Sequence, residues 1–212
     1  MNINCSKYLN LLKKDFLISK NMIFLLVYFF IIILGFPLFF ENNSNDNILN
    51  IIATVTLFEM IAFGSQQVLI SEKCKGNELI ITTSYTRKDI IYSRYLFFYL
   101  LSLVCMIFSF VGVAVLYPSL TMNFFVILEY IFMVCIGSAI LVALTFKMKS
   151  NLSYTTVAFI LAAPILALIN TVEFINALMS PAITCALVFL LFIVAVPISL
   201  KISEKIYLNK SL

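Results

Sequence analysis

Glu59 is the side chain in this sequence whose chemistry most needs explaining. It lies near the middle of an apolar run, residues 48–70, with Thr56, Phe63 and Gln66 at helical spacing around it and Gln67 alongside. An ionised carboxylate at the centre of a membrane-spanning helix costs roughly 2.5–3.5 kcal/mol on insertion scales. Two chemistries suit such a stripe. It lines a substrate path or a dimer seam, or it hydrogen-bonds a neighbouring helix with Glu59 protonated. Glu129 opens a second apolar run and is expected to be shallow enough to reach the outer headgroups.

A different chemistry is written in residues 71–95, "SEKCKGNELIITTSYTRKDIIYSRY". Glu72, Lys73, Lys75, Glu78, Arg87, Lys88, Asp89 and Arg94 gather there, between two apolar runs. A linker between spans needs only a handful of residues. Mixed charge gives register and specificity to a protein contact, and Leu79-Ile80-Ile81 offers area to bury. The alternative is an ordinary solvated loop. Gly76 suits a helix C-terminus. Thr86, with Asp89 three residues on, reads as a capping-box variant that starts a new helix.

Several activities are excluded. The chain has no histidine, which removes His-rich membrane metalloproteases and Ser–His hydrolases. No Gly-x-x-x-x-Gly-Lys-[Ser/Thr] loop occurs, so this chain cannot hydrolyse ATP. Cys5, Cys74, Cys105, Cys135 and Cys185 fit no metal-ligand spacing and read as small reduced hydrophobes. No metal and no cofactor of its own is expected.

The elements that position these residues follow from composition. Of 212 residues 63% are hydrophobic and 11% charged, with mean hydropathy +1.09. A soluble domain is roughly 45–50% apolar and about 25% charged. The reading is an all-α membrane protein, a single domain over residues 1–212. Six runs approach the roughly 20 residues needed to cross a bilayer: 22–40, 48–70, 96–116, 124–146, 155–170 and 180–200. Pro164 interrupts the fifth. The segment 171–179 after it is expected as a short re-entrant or surface helix. None of the runs looks like a cleaved signal sequence.

All 14 basic residues fall on one side of this arrangement. They lie before the first span, between the second and third, between the fourth and fifth, and after the sixth. Glu41, Asp46 and Glu173 fall on the other side. The asymmetry places both termini and residues 71–95 in the cytoplasm. Residues 1–20 form an amphipathic helix, with Cys5, Tyr8, Leu9, Leu12 and Phe16 on one face. Lys7, Asn10, Lys13 and Lys14 share the other, a pattern suited to the membrane interface. Between spans two and three the chain makes a cytoplasmic helical elbow.

The stretch "EKCKGNELIITTSYTRKDIIYSRYL" resembles the cytoplasmic loop of small ABC-2 type permeases, the membrane subunits of bacterial ATP-driven exporters. That loop commonly runs Glu-x-Lys, a leucine-rich stretch, then Pro-aliphatic-Ser-Arg-Lys-Asp-Ile. Glu72, Lys73, Leu79, Arg87, Lys88, Asp89 and Ile90 match it. Ser84 and Tyr85 depart from it, and Thr86 replaces the serine. In architecture the resemblance covers the whole chain, and in motif this loop. It is similar to permeases that export phenol-soluble modulins or protect against lantibiotics.

The resemblance implies that Glu72, Lys73, Leu79, Thr86, Arg87, Lys88 and Asp89 form a coupling segment on an ATPase subunit. Lys147 and Lys149 would make a second, smaller contact. ATP and Mg would be bound by two copies of that ATPase. A second permease subunit, identical or paralogous, completes the assembly in the bacterial plasma membrane. Thr56, Glu59, Phe63 and Gln66 are the candidate translocation path. The implied function is export of amphipathic or antimicrobial peptides, with no nucleic-acid partner. A competing reading is a non-transporting membrane scaffold or small-molecule channel that needs no ATPase. Copurification with a stoichiometric ATPase separates the two.

Overall fold

The computed structural model describes residues 5–19, 56–57, 60–65, 85–116, 123–147 and 154–209. Five helices lie within them: α1 (Cys5–Ser19), α2 (Arg87–Leu116), α3 (Phe124–Lys147), α4 (Tyr154–Leu178) and α5 (Pro181–Leu208). Among the described residues there is no strand. In hydrocarbon every backbone N–H and C=O must be satisfied within the segment, which helices achieve. Among the described residues four stretches are long and apolar enough to cross a membrane: Arg87–Phe108, Phe124–Lys147, Ile160–Leu178 and Pro181–Tyr207. The expected first span, 22–40, lies outside the described residues, as does the second, 48–70, except for 56–57 and 60–65.

The helix starts are chemically explicit. Thr86 caps α2, as its spacing to Asp89 predicts. Asn123 caps α3, its Oδ1 accepting a hydrogen bond from Phe125 N at 3.0 Å. Pro181 opens α5, where its missing N–H costs nothing.

The fifth run differs from its expectation. The helix does not stop at 170 but continues to Leu178 through Pro164, so residues 171–178 are neither re-entrant nor a separate surface helix. The continuation is held by packing and polar bonds. Val172 is buried, Thr171 Oγ1 donates back to Ala167 O at 2.7 Å, and Asn176 reaches across to α3. Proline is tolerated in such helices because neighbours re-satisfy the backbone groups it frees.

α3 is the central helix. Ala139, Leu141 and Val142 are fully buried on it, and its most extensive packing is with α5. Ser199 Oγ donates to Ala139 O at 2.6 Å, Phe132 meets Phe189 and Phe192, and Phe146 meets Tyr207. These pairs advance together, so α3 and α5 run in the same direction. Pairs involving α2 and α4 advance oppositely: Arg87 with Tyr207 and Tyr92 with Glu204 for α2 and α5, Glu129 with Asn176 for α3 and α4. The four helices therefore alternate in direction, as successive crossings must.

Residues 56–57 and 60–65 sit inside this bundle. Leu57 and Met60 are fully buried. A Cβ added at Gly64 would lie 3.4 Å from Thr145 Cγ2, 3.5 Å from Leu161 Cδ1 and 3.6 Å from Phe98 Cζ. One added at Gly137 would meet Leu57 Cδ2 at 2.5 Å and Ile165 Cδ1 at 3.3 Å. At Gly137, then, neighbouring side chains fill the space a Cβ would take, the use that membrane interfaces make of small residues.

Candidate functional site

The basic end of the bundle is assembled from the start of α2, the end of α5, the end of α3 and the whole of α1. The α2 start is a reciprocal cap. Thr86 Oγ1 accepts from Asp89 N at 3.2 Å, while Asp89 Oδ2 accepts from Thr86 N at 2.9 Å and from the Thr86 hydroxyl at 2.8 Å. A carboxylate in the first turn also meets the positive end of the helix dipole.

The second carboxylate oxygen of Asp89 reaches outside its own helix. Tyr8 of α1 donates its phenol to Asp89 Oδ1 at 3.3 Å. Burial and the charge of Asp89 hold that phenol above its ordinary pKa. Leu11 and Asp15 are buried on the same side of α1, and Leu12 is half-buried. Leu9, Phe16 and Leu17 are exposed. The single apolar face expected for this helix is therefore divided. Tyr8 and Leu12 turn inward, while Leu9 and Phe16 remain outside with Leu17. The reason is that α1 docks along positions 8, 11, 12 and 15, one turn apart, against α2.

Arg87 is committed as well. Its guanidinium donates from Nη1 to the backbone oxygen of Tyr207, at 3.2 Å, near the C-terminus of α5. A cation there also favours the helix dipole. One turn on, the Tyr92 hydroxyl donates to Glu204 Oε1 at 2.9 Å. Deeper, the Tyr95 hydroxyl hydrogen-bonds Ser203 at 2.9 Å and also Ser199. In hydrocarbon such bonds average about 0.6 kcal/mol each, so α2 and α5 are joined by several small terms.

Arg94 is 2% exposed. Its guanidinium carbon lies 5.0 Å from the centroid of the Phe146 ring, and among the described residues Nε has no hydrogen-bond acceptor. Lys14 pairs with Asp15, Nζ to Oδ1 at 3.6 Å. Burial pushes the Lys14 ammonium below its ordinary pKa. Asp15 opposes that fall and the Arg94 charge adds to it.

The residues proposed for partner contact are divided by this geometry. Lys88 and Lys147 are exposed. Arg87 and Asp89 are half-buried and occupied with α5 and α1. Thr56 and Phe63 are buried, 0% and 3% exposed. Glu72, Lys73, Leu79, Lys149, Glu59 and Gln66 lie outside the described residues.

At the opposite end the sequence reading of Glu129 is corrected. The side chain is fully buried among its neighbours rather than reaching out toward the headgroups. Asn176 Nδ2 donates to its Oε1 at 2.6 Å. The two errors share one cause, since a helix stopping at 170 could not have placed Asn176 opposite Glu129. Cys105 and Cys185 are buried, Cys135 is half-buried, and none of the three forms a disulfide among the described residues.

No curated protein matches the chain, and no solved structure does. A family model described as "ABC-2 family transporter protein" matches residues 10–208. That match takes in the capped start of α2, the four apolar helices and most of α1, and with it the chain belongs to the ABC-2 family of transporter membrane proteins.

Proposed function

We propose that this chain is the transmembrane permease subunit of an ATP-driven exporter in the bacterial plasma membrane. Both termini and the basic end face the cytoplasm. The observation that carries the reading is the family match over residues 10–208, taken with an end of the bundle that presents Lys88 and Lys147 outward. Energy comes from a separate ATPase in two copies, which bind ATP and Mg, and a second permease subunit completes the pore. The chain is then a single ABC-2 domain of six spans led by an interfacial helix and is itself non-catalytic. Residues 71–90 form the coupling segment, with Glu72, Lys73, Leu79, Thr86, Arg87, Lys88 and Asp89 on it. Lys147 and Lys149 make the smaller contact, and Thr56, Glu59, Phe63 and Gln66 border the translocation path. The cargo is an amphipathic or antimicrobial peptide, the class suited to a chain with 21 phenylalanines and 8 methionines.

Purification of the tagged chain from its native membrane tests the proposal. A stoichiometric ATPase should come with it, and the reconstituted pair should hydrolyse ATP faster when an amphipathic peptide is added. A chain that purifies with no ATPase is a scaffold or channel, and the proposal fails.

A further inference from the structure

We propose that Tyr95 and Tyr99 of α2 form a two-position latch against Ser199 and Ser203 of α5, so that α2 can advance along α5 by one helical turn and be held at either register. In the register seen, Tyr95 occupies the latch. Its hydroxyl sits between Ser203, at 2.9 Å, and Ser199, two buried serines one turn apart. Counting protons fixes the direction of the bonds, since each hydroxyl has one to give. Ser199 gives its own to Ala139 O of α3 at 2.6 Å. It therefore accepts from Tyr95, and Tyr95 accepts from Ser203. The chain joins three helices and leaves no proton over.

Tyr99 is the side chain left unexplained. It follows Tyr95 by one turn on the same side of α2, with the two ring centroids 6.3 Å apart. Its hydroxyl is buried and, among the described residues, has no hydrogen-bond partner. A buried hydroxyl without a partner is costly, and native structures contain few. The reason lies on α5. The two helices run in opposite directions, Arg87 meeting Tyr207 and Tyr92 meeting Glu204. That alignment carries Tyr99 past Ser199 by one turn, where residue 195 is an alanine with no hydroxyl to offer.

A shift of α2 by one turn, about 5.4 Å, toward the C-terminus of α5 brings the Tyr99 hydroxyl to the place Tyr95 now holds. The serines stay satisfied on the way, because a helical serine can donate to a carbonyl of the preceding turn. The present register is favoured by the bonds of Arg87 with Tyr207 and Tyr92 with Glu204, which the shift breaks. The second register is therefore the minor one until the α2 start is drawn away from the bundle. On the export reading the ATPase supplies that pull. The use of the latch rests on that reading, and its existence does not.

The test uses the purified full chain, without an ATPase, in a background lacking native cysteines. Tyr92→Cys with Glu204→Cys reports the present register. Leu96→Cys with Glu204→Cys reports the second, since Leu96 lies one turn beyond Tyr92, is exposed like it, and takes its place after the shift. Glu204→Cys removes the Tyr92–Glu204 bond from both pairs alike. Yields with a short bifunctional thiol reagent are compared, and the first pair should crosslink in excess. Tyr95→Phe should raise the ratio of the second yield to the first about sevenfold, the weight of two intramembrane hydrogen bonds of average strength. Tyr99→Phe should lower the ratio by a similar factor and melt no lower than wild type, since it removes an unpaired hydroxyl. The double variant should return to the starting ratio. If Tyr95→Phe does not accumulate, the melting of Tyr99→Phe decides. A ratio that neither substitution moves, or a Tyr99→Phe protein that melts below wild type, would overturn the latch. A ratio that moves as expected in a chain that purifies with no ATPase would keep the latch and remove the export reading.

Discussion

Tyr8 donates a hydrogen bond to the same carboxylate, Asp89, that closes the N-terminal cap of α2. One side chain therefore both starts a helix and anchors the lead helix to it. Movement of α1 and fraying of the α2 start are linked through Asp89, and the link lies beside the residues proposed to face the ATPase.

Removing parts of this link should give graded losses. Thr86→Ala deletes the cap and should cost about 0.5–2 kcal/mol. Tyr8→Phe deletes one long, half-exposed hydrogen bond and should cost about 0.5–1.5 kcal/mol, at the low end of that range. Asp89→Ala deletes both and should be the worst of the three. Melting temperatures of the purified variants check the order. The raised Tyr8 pKa sets the pH window. Its contribution is complete below the ordinary phenol value of 10.0 and is lost as pH rises through the higher folded value.

The buried pair at the opposite end makes a contrasting case. Glu129→Gln keeps a carbonyl acceptor for Asn176 and should accumulate in the membrane close to wild type. Glu129→Leu leaves the Asn176 amide without this acceptor and should cost about 1–3 kcal/mol, lowering the amount of folded protein. Quantitative blotting of membranes, with melting of the purified proteins, distinguishes the two. Equal loss in both variants would mean that the carboxylate charge itself is required.

Two glycines with different surroundings should respond in opposite ways. At Gly64 an added Cβ makes ordinary contacts of 3.4–3.6 Å, so Gly64→Ala should be neutral or stabilise by up to about 1 kcal/mol through helix propensity. At Gly137 the new carbon would meet Leu57 at 2.5 Å, and Leu57 is fully buried. Gly137→Ala should cost about 1–3 kcal/mol of overpacking. Parallel thermal melts of the two proteins provide the comparison.

How much was legible in the sequence depended on the range of the interaction. The cap at Thr86 is a three-residue pattern, and it was readable. The four apolar helices from α2 to α5 were readable as runs, because hydropathy is local. What failed was depth and partnership. The polar Asn170 marked an early end to the fifth run, yet the helix continues to Leu178, and only then does Asn176 explain a buried Glu129. The face of α1 was misread because amphipathicity locates the apolar residues and not the neighbour that takes them. Arg94 stands two residues before the expected third span and gave no signal of burial.

Orientation is tested by labelling, since the placement of the basic residues is what sets the topology proposed here. In a background without native cysteines, Asn43→Cys should react with an impermeant thiol reagent applied outside intact cells. Lys88→Cys should react only after the membrane is opened. The reverse pattern would put the basic end outside the cell, where no ATPase could reach it.

Lys88 and Arg87 are adjacent, yet the structure gives them different work, and this sharpens the test of coupling. Lys88 is exposed, so reversing its charge should leave the fold unaltered, within about 0.5 kcal/mol as for surface changes generally. Arg87 holds the Tyr207 carbonyl at 3.2 Å, so Arg87→Glu also removes a charge-assisted bond between α2 and α5, worth about 1.5–3 kcal/mol. It further places a carboxylate near a helix C-terminus, where negative charge is disfavoured. Lys88→Glu should therefore insert at normal levels and melt like wild type, but should weaken stimulation of the ATPase and slow export, because a rim charge contributes to docking rather than folding. Arg87→Glu should lose thermal stability as well as coupling. Measuring melting temperature and ATPase stimulation on the same reconstituted samples separates the two effects. If Lys88→Glu couples as well as wild type, and Arg87→Glu loses activity only in proportion to folded protein, the start of α2 is a structural joint and not the surface through which ATP hydrolysis is transmitted.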